Sequence, residues 1–214
     1  MWLFSTTWIK MRNPQTITLA FTGASGMPYG IRLLEVLLAQ GLKIYLIYSK
    51  VAQIVAHQEM KLTLPSQAKE AEAFFKQRFN VMDGQLCVFG REEWFAPVAS
   101  GSNPADAMVI CPCTMGSLAA IATGMSQNLI ERSADVMLKE NRQLILVPRE
   151  TPFSTIHLEN MLRLVRSGAV ILPPNPGFYH HPQSVQDLID FVVARILDHL
   201  GVKHALMPRW GEEH

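Results

Sequence analysis

Thr16-Ile-Thr-Leu-Ala-Phe21 and the turn that follows it, Thr22-Gly23-Ala24-Ser25-Gly26, decide the fold. The first stretch is apolar and carries β-branched residues, so it reads as a buried strand. Beyond the turn, Ile31-Arg-Leu-Leu-Glu-Val-Leu-Leu38 reads as a helix. A strand, a tight glycine turn and a helix put several backbone N–H groups at a helix N-terminus, which suits an anion such as a phosphate. Gly23 and Gly26 allow backbone to approach a ligand closely. Ser25 adds a hydroxyl that donates or accepts. The spacing is not G-x-G-x-x-G, so the dinucleotide fingerprint is absent.

Working outward, Leu42-Lys-Ile-Tyr-Leu-Ile-Tyr48 reads as a second strand. Ser49-Lys50 opens a helix through Val51-Ala-Gln-Ile-Val-Ala56, where Ser49 serves as an N-cap or as a ligand contact. His57-Gln-Glu59 closes that element, with Glu59 on the surface by its position alone. Residues 66–79 read as an exposed helix and Gln85-Leu-Cys-Val-Phe89 as a short strand. The loop over 91–103 carries Trp94 and is long enough to be functional. Ala107-Met-Val-Ile-Cys111 is a continuous apolar strand, and Pro112-Cys-Thr-Met-Gly-Ser117 turns it into a helix over 118–123. Further helices are expected at about 128–141, 155–166 and 184–200, and further strands at 143–147 and 169–172.

Strands alternating with helices imply a three-layer α/β architecture, a doubly wound and mostly parallel sheet. One domain over 15–214 is expected, preceded by a flexible extension over 1–14. Ligands of such sheets gather at the carboxyl ends of the strands. That rule brings Gly23 to Gly26, Ser49, Thr114 to Ser117 and Arg149-Glu150 to one edge.

The bulk numbers narrow the function. The chain has 214 residues, 49% of them hydrophobic and 17% charged, with a formal charge of +1. Nothing global attracts nucleic acid or an anionic membrane, so any phosphate site is local. Three cysteines, an odd and small number, argue against a disulfide framework and for a reducing cytoplasm. Cys111-Pro112-Cys113 has no second ligand pair at metal spacing. The first ten residues are apolar, but they lack a basic leader and a small-residue cleavage site, and they are too few to span a bilayer.

A set of stretches then appears in a familiar order: Thr22-Gly-Ala-Ser-Gly26, Ser49-Lys50, Cys111-Pro-Cys113, Asn128-Leu-Ile-Glu-Arg-Ser-Ala-Asp135, Leu138-Lys139-Glu140, Val147-Pro-Arg-Glu-Thr-Pro152, His157-Leu-Glu-Asn-Met161, Gly168-Ala-Val-Ile171, Gly177-Phe-Tyr-His180, Pro182-Gln-Ser184 and Arg209-Trp210. Spanning about residues 16 to 211, they make the chain resemble the UbiX-type flavin prenyltransferases, within the flavin-containing cysteine decarboxylase-like group. One departure is Thr114-Met-Gly-Ser117, where other members often carry a Lys and this loop is small and neutral.

The resemblance implies a Rossmann-like flavoprotein fold and an unusual reaction. Reduced FMN, here a substrate, receives a dimethylallyl group at N5 and C6 from dimethylallyl monophosphate, and a fourth ring forms. The prenylated FMN then serves a partner decarboxylase of the UbiD type. It further implies that Gly23, Ala24, Ser25, Ser49, Thr114, Met115, Gly116, Ser117 and Arg149 hold FMN. Lys139, Tyr179 and Arg195 hold the prenyl phosphate, while Ser25, Glu59, Trp94, Arg132, Lys139, Glu150 and Trp210 shape the reacting centre. Trimers assembled into a homododecamer, with pockets completed by neighbouring chains, are implied as well.

The residues fit that chemistry on physical grounds. Prenyl-diphosphate enzymes hold Mg²⁺ on Asp-rich motifs; no D-D-x-x-D occurs here, and no metal is expected. Arg and Lys hold a monophosphate unaided. Arg132 and Lys139, two helical turns apart, share a face, as residues of a solvated face also would. Glu150 can protonate a leaving phosphate if its pKa is raised, or pair with an Arg. Trp94, Tyr179 and Trp210 offer π-faces to an allylic cation. The segment Pro173-Pro-Asn-Pro-Gly-Phe-Tyr179 cannot join the sheet, and its aromatics suit an interface between copies.

Two other classes compete. A flavin-dependent decarboxylase of the same fold needs a catalytic His near the first helix, but His57, the only His before residue 100, lies in the second. A non-catalytic flavin carrier has no use for a second phosphate pocket, so Tyr179, Lys139 and Arg195 speak against it.

Overall fold

The computed structural model describes residues 14–208. Residues 1–13 of the expected extension, and Trp210, lie outside that range. Six strands form one sheet in the order β3-β2-β1-β4-β5-β6. They are β1 (Thr16–Phe21), β2 (Lys43–Tyr48), β3 (Leu86–Phe89), β4 (Ala107–Cys113), β5 (Gln143–Pro148) and β6 (Val170–Ile171). Every pairing is parallel. The order reverses between β1 and β4, which opens a crevice at their carboxyl ends.

Side chains alternate across a strand, so each strand feeds two cores. Ile17, Leu19 and Phe21 of β1 join Ile44, Leu46, Val109 and Val147 on one face. There they meet α1 (Met27–Ala39), α2 (Lys50–Met60), α3 (Ala68–Phe79) and α7 (Val185–Leu200). Ala20, Ile47, Met108, Ile110 and Leu146 point the other way, under α4 (Met115–Ala122), α5 (Leu129–Lys139) and α6 (Thr155–Arg166). These are the expected three layers.

The differences from the sequence reading are local. Helix α1 starts at Met27, four residues before Ile31, because Pro28 has the φ a first turn needs. Strand β4 runs on through a cis Cys111-Pro112 bond to Cys113. Helix α4 starts at Met115, so Thr114-Met-Gly-Ser117 is an N-cap and a first turn rather than a loop. Strand β6 is two residues long.

Helix α1 lies against β4 at Gly30, where a Cβ would stand 2.4 Å from the Cys111 carbonyl oxygen and 2.9 Å from the Phe21 ring. Backbone cannot yield there as a flexible side chain would. Gly30→Ala is therefore expected to cost about 2 kcal/mol from overpacking and to lower the melting temperature by ~5 °C, measurable by calorimetry.

Candidate active site

The crevice is built from two turns stitched together by one side chain. Thr22, 2% exposed, ends β1. Its Oγ1 donates to the Pro112 carbonyl at 2.9 Å and accepts from Thr114 N at 2.8 Å. Its own amide donates to the same Pro112 carbonyl at 3.1 Å. The glycine turn after β1 and the turn after β4 are thus fixed to each other across 90 residues of sequence.

In the first turn, Gly23 lies so close to α2 that a Cβ would meet Val51 Cγ1 at 2.3 Å. Gly26 has φ 115°, open to glycine alone. The amides of Gly23, Ala24 and Ser25 donate to no acceptor among the described residues. The Ser25 hydroxyl is half-buried and likewise without a partner there.

Glu59 corrects one expectation. From the last turn of α2 its carboxylate accepts from Gly26 N at 3.0 and 3.1 Å and from Met27 N at 2.9 Å. It caps α1 and sets a negative charge against the positive end of that helix. Glu59 is exposed, as its position implies, but it is tied to the root of α1. The helix-end amides expected to meet a phosphate are also already spent on it. The unspent donors are the three just before, which moves the anion-binding part of the turn toward Gly23 to Ser25.

In the second turn, Thr114 Oγ1 accepts from Ser117 N at 3.0 Å and donates to Ser117 Oγ at 2.9 Å. Met115 is buried, Gly116 exposed and Ser117 half-buried. Ser49 caps α2 by accepting from Ala52 N at 3.1 Å, and its amide donates to the Phe21 carbonyl. Capping leaves its hydroxyl hydrogen available. Arg149, just past β5, donates its amide to the Cys113 carbonyl. Glu150 is exposed and accepts from Thr151 N at 3.1 Å. Neither residue is in an ion pair among the described residues, so the salt-bridge alternative for Glu150 has no partner there.

No hydrogen bond or ion pair among the described residues joins Trp94, Arg132, Lys139 or Arg195 to Gly23, Ala24, Ser25 or Ser49. Trp94, 45% exposed, lies in the loop after β3. Arg132 donates from Nε to the Ala99 carbonyl at 3.0 Å and pairs with Asp135 at 2.7 Å. Lys139, at the end of α5, pairs with Glu140. The next residues, Arg142 and Gln143, lead into the amino end of β5, and Arg142 meets Asp106 at the amino end of β4. Lys139 thus sits at the opposite edge of the sheet from Ser25. Tyr179, 54% exposed, packs edge-on to His180 and Phe191. Arg195 pairs with Asp198 at 2.8 Å, about 15 Å along α7 from its start.

Beside the crevice a cleft of about 550 Å³ is lined by Tyr48, Lys50, Gln53, Phe89 and Arg91 among others. Its lining takes Lys50 and Gln53 from α2, whereas the glycine turn meets Val51. Among the described residues no group of three His, Cys, Asp or Glu is placed to hold a metal ion. All three cysteines are free. Burial pushes the Cys113 thiol up to about 12 and Cys111 higher still, so neither is a thiolate near neutral pH.

Thr22 testifies to its role through substitution. Thr22→Val keeps the shape but removes both hydroxyl bonds, and is expected to weaken FMN binding about tenfold. Thr22→Ser should restore it. Fluorescence titration with FMN reads both.

A Rossmann-ordered parallel sheet with unspent amides and hydroxyls at its switch point defines a nucleotide-binding α/β protein of the flavin class, and the model of the flavoprotein family matches residues 7–197. The chain is 56% identical to the flavin prenyltransferase UbiX of Pseudomonas aeruginosa, over 95% of this chain and 98% of that one. It superposes on the crystal structure of AnUbiX (PadA1), in complex with FMN and dimethylallyl pyrophosphate, with a TM-score of 0.82 at 40% identity, covering 94% of this chain and all of that one. A dodecameric FMN-dependent UbiX-like decarboxylase from Escherichia coli O157:H7 gives 0.79 at 40% identity, covering 91% and 98%. The chain belongs to the UbiX flavin prenyltransferase family.

Proposed function

We propose that this chain is a metal-independent flavin prenyltransferase that joins a dimethylallyl group from dimethylallyl monophosphate to N5 and C6 of reduced FMN, releasing phosphate. The observation that carries the reading is the row of unspent donors at Gly23, Ala24 and Ser25, held against the α4 turn by Thr22. Those amides, with Ser49, Thr114, Met115, Gly116, Ser117 and Arg149, suit a flavin and its phosphate. Ser25 places a hydroxyl where a proton must move at the reacting nitrogen. Glu150, unpaired on the same edge, is the acid for the leaving phosphate. The AnUbiX structure, described as a complex with FMN and dimethylallyl pyrophosphate, supports a site for a flavin together with a dimethylallyl phosphate compound.

Lys139, Tyr179 and Arg195 are read as the donor-phosphate residues and Arg132 and the tryptophans as its surroundings. The place of Lys139, at the edge of the sheet opposite Ser25, supports sites completed by neighbouring copies. The E. coli relative, described as dodecameric, supports that assembly for this chain too. The product is made for a UbiD-type decarboxylase, and the setting is the cytoplasm, in keeping with three free thiols. Among the described residues no helix is long and apolar enough to cross a membrane.

Anaerobic incubation with reduced FMN, dimethylallyl monophosphate and excess chelator tests the reading. The extracted flavin should gain one C5 unit by mass. An unchanged flavin overturns the transfer, and a gain that appears only with added Mg²⁺ overturns its metal independence.

A further inference from the structure

Asp198, in the last turn of α7, holds two partners at once. Its Oδ2 accepts from Arg195 Nη1 at 2.8 Å, and its Oδ1 from His204 Nε2 at 3.2 Å. The His204 side chain is only 6% exposed. Its other nitrogen, Nδ1, accepts from Leu206 N at 3.4 Å. An amide N–H pointing at Nδ1 assigns the tautomer: the ring proton sits on Nε2 and is donated to Asp198.

By itself an exposed arginine paired three residues along a helix contributes little. The buried imidazole changes that. Gly201, at φ 70°, ends α7, and Val202 N donates back to the Leu197 carbonyl. The segment after it is anchored to the helix through His204, so Asp198 cannot swing away without breaking that anchor. Arg195 then has a fixed acceptor behind it. One of its five N–H donors is used, and the rest of the fork stays available for an incoming anion. A side chain already held loses less freedom when it binds.

We propose that Asp198 and His204 are positioning residues for the donor: they hold Arg195 ready for the phosphate of dimethylallyl monophosphate. The inference rests on Arg195 being a donor-phosphate ligand, as read above.

Calorimetric titration of dimethylallyl monophosphate into the full-length, FMN-loaded protein tests it, with oxidised flavin so that no transfer occurs. Asp198→Asn and His204→Ala should each weaken donor binding about tenfold while FMN affinity stays within about twofold, the scale of one charge-assisted hydrogen bond. His204→Gln, whose amide N–H can replace Nε2–H, should recover most of the loss. A merely structural role would lower melting temperature and FMN affinity together, without rescue by Gln. Donor affinity unchanged in both substitutions, or lost only in step with FMN affinity, overturns the inference. Turnover of the unaltered chain with reduced FMN is scored separately, so absence of transfer would count against the enzymatic reading while the binding data still decide this one.

Discussion

Ser25→Ala should bind FMN as tightly as the parent and transfer the dimethylallyl group about a hundredfold more slowly. The expectation follows from what the Ser25 side chain does not do. It caps nothing: Gly26 is the N-cap of α1, and Glu59 supplies the capping carboxylate. It stitches nothing either, since Thr22 joins the two turns. On the proposed reading backbone amides grip the flavin, and the substitution leaves them in place. What disappears is one half-buried hydroxyl without a partner among the described residues, which the proposed reading sets beside the reacting nitrogen. Single-turnover measurement on protein loaded with reduced FMN separates binding from transfer. Parental turnover at full FMN occupancy would leave Ser25 as a turn residue only.

The part of this site that was legible in the sequence is the part made by local chemistry. Strand β1 carries the bounds its apolar run implies, and Ser49 and Asn128 cap the helices they precede. The edge that collects Gly23, Ser49, Thr114 and Arg149 follows from strand–helix alternation. Local reading failed where a breaker was taken at face value. Gly116 made Thr114-Met-Gly-Ser117 look like a loop, yet Thr114 caps the helix by accepting from Ser117 N and the helix begins at once. It failed wherever the partner is far away in sequence. Glu59 finds Gly26 across 33 residues and Thr22 finds Pro112 across 90. No spacing rule announces either contact; both depend on α2 and β4 flanking β1 in space. A general signal did exist for Thr22, a polar residue at the end of an otherwise apolar central strand that must find a partner once buried.

Neither of two inactive chains, Ser25→Ala and Lys139→Ala, should transfer at an appreciable rate alone, yet assembled together they should recover about a quarter of the parental rate. The geometry of a single chain motivates this. Ser25 stands past the carboxyl end of β1. Lys139 closes α5 just before Gln143 opens β5, beside Arg142, which reaches Asp106. Asp106 in turn accepts from Gln15 N and Thr16 N, at the amino end of β1. Six residues of strand separate the two edges, about 20 Å, too far for one lysine side chain to span to the same reacting atoms. If Lys139 serves a site at all, that site belongs to another copy. Exposed Tyr179 and Phe178, at 54% and 68%, and the apolar outer residues Leu158, Leu162 and Val165 of α6 give copies of this chain apolar surface to meet through. In a closed symmetric assembly one site then takes Ser25 from one chain and Lys139 from the next. Random mixing of the two variants leaves about one site in four with both parental residues. Co-expression with two affinity tags, followed by assay of doubly tagged assemblies, measures the recovery. Hybrids as inactive as either variant alone would show that each site is built from one chain, and that Lys139 has no part in it.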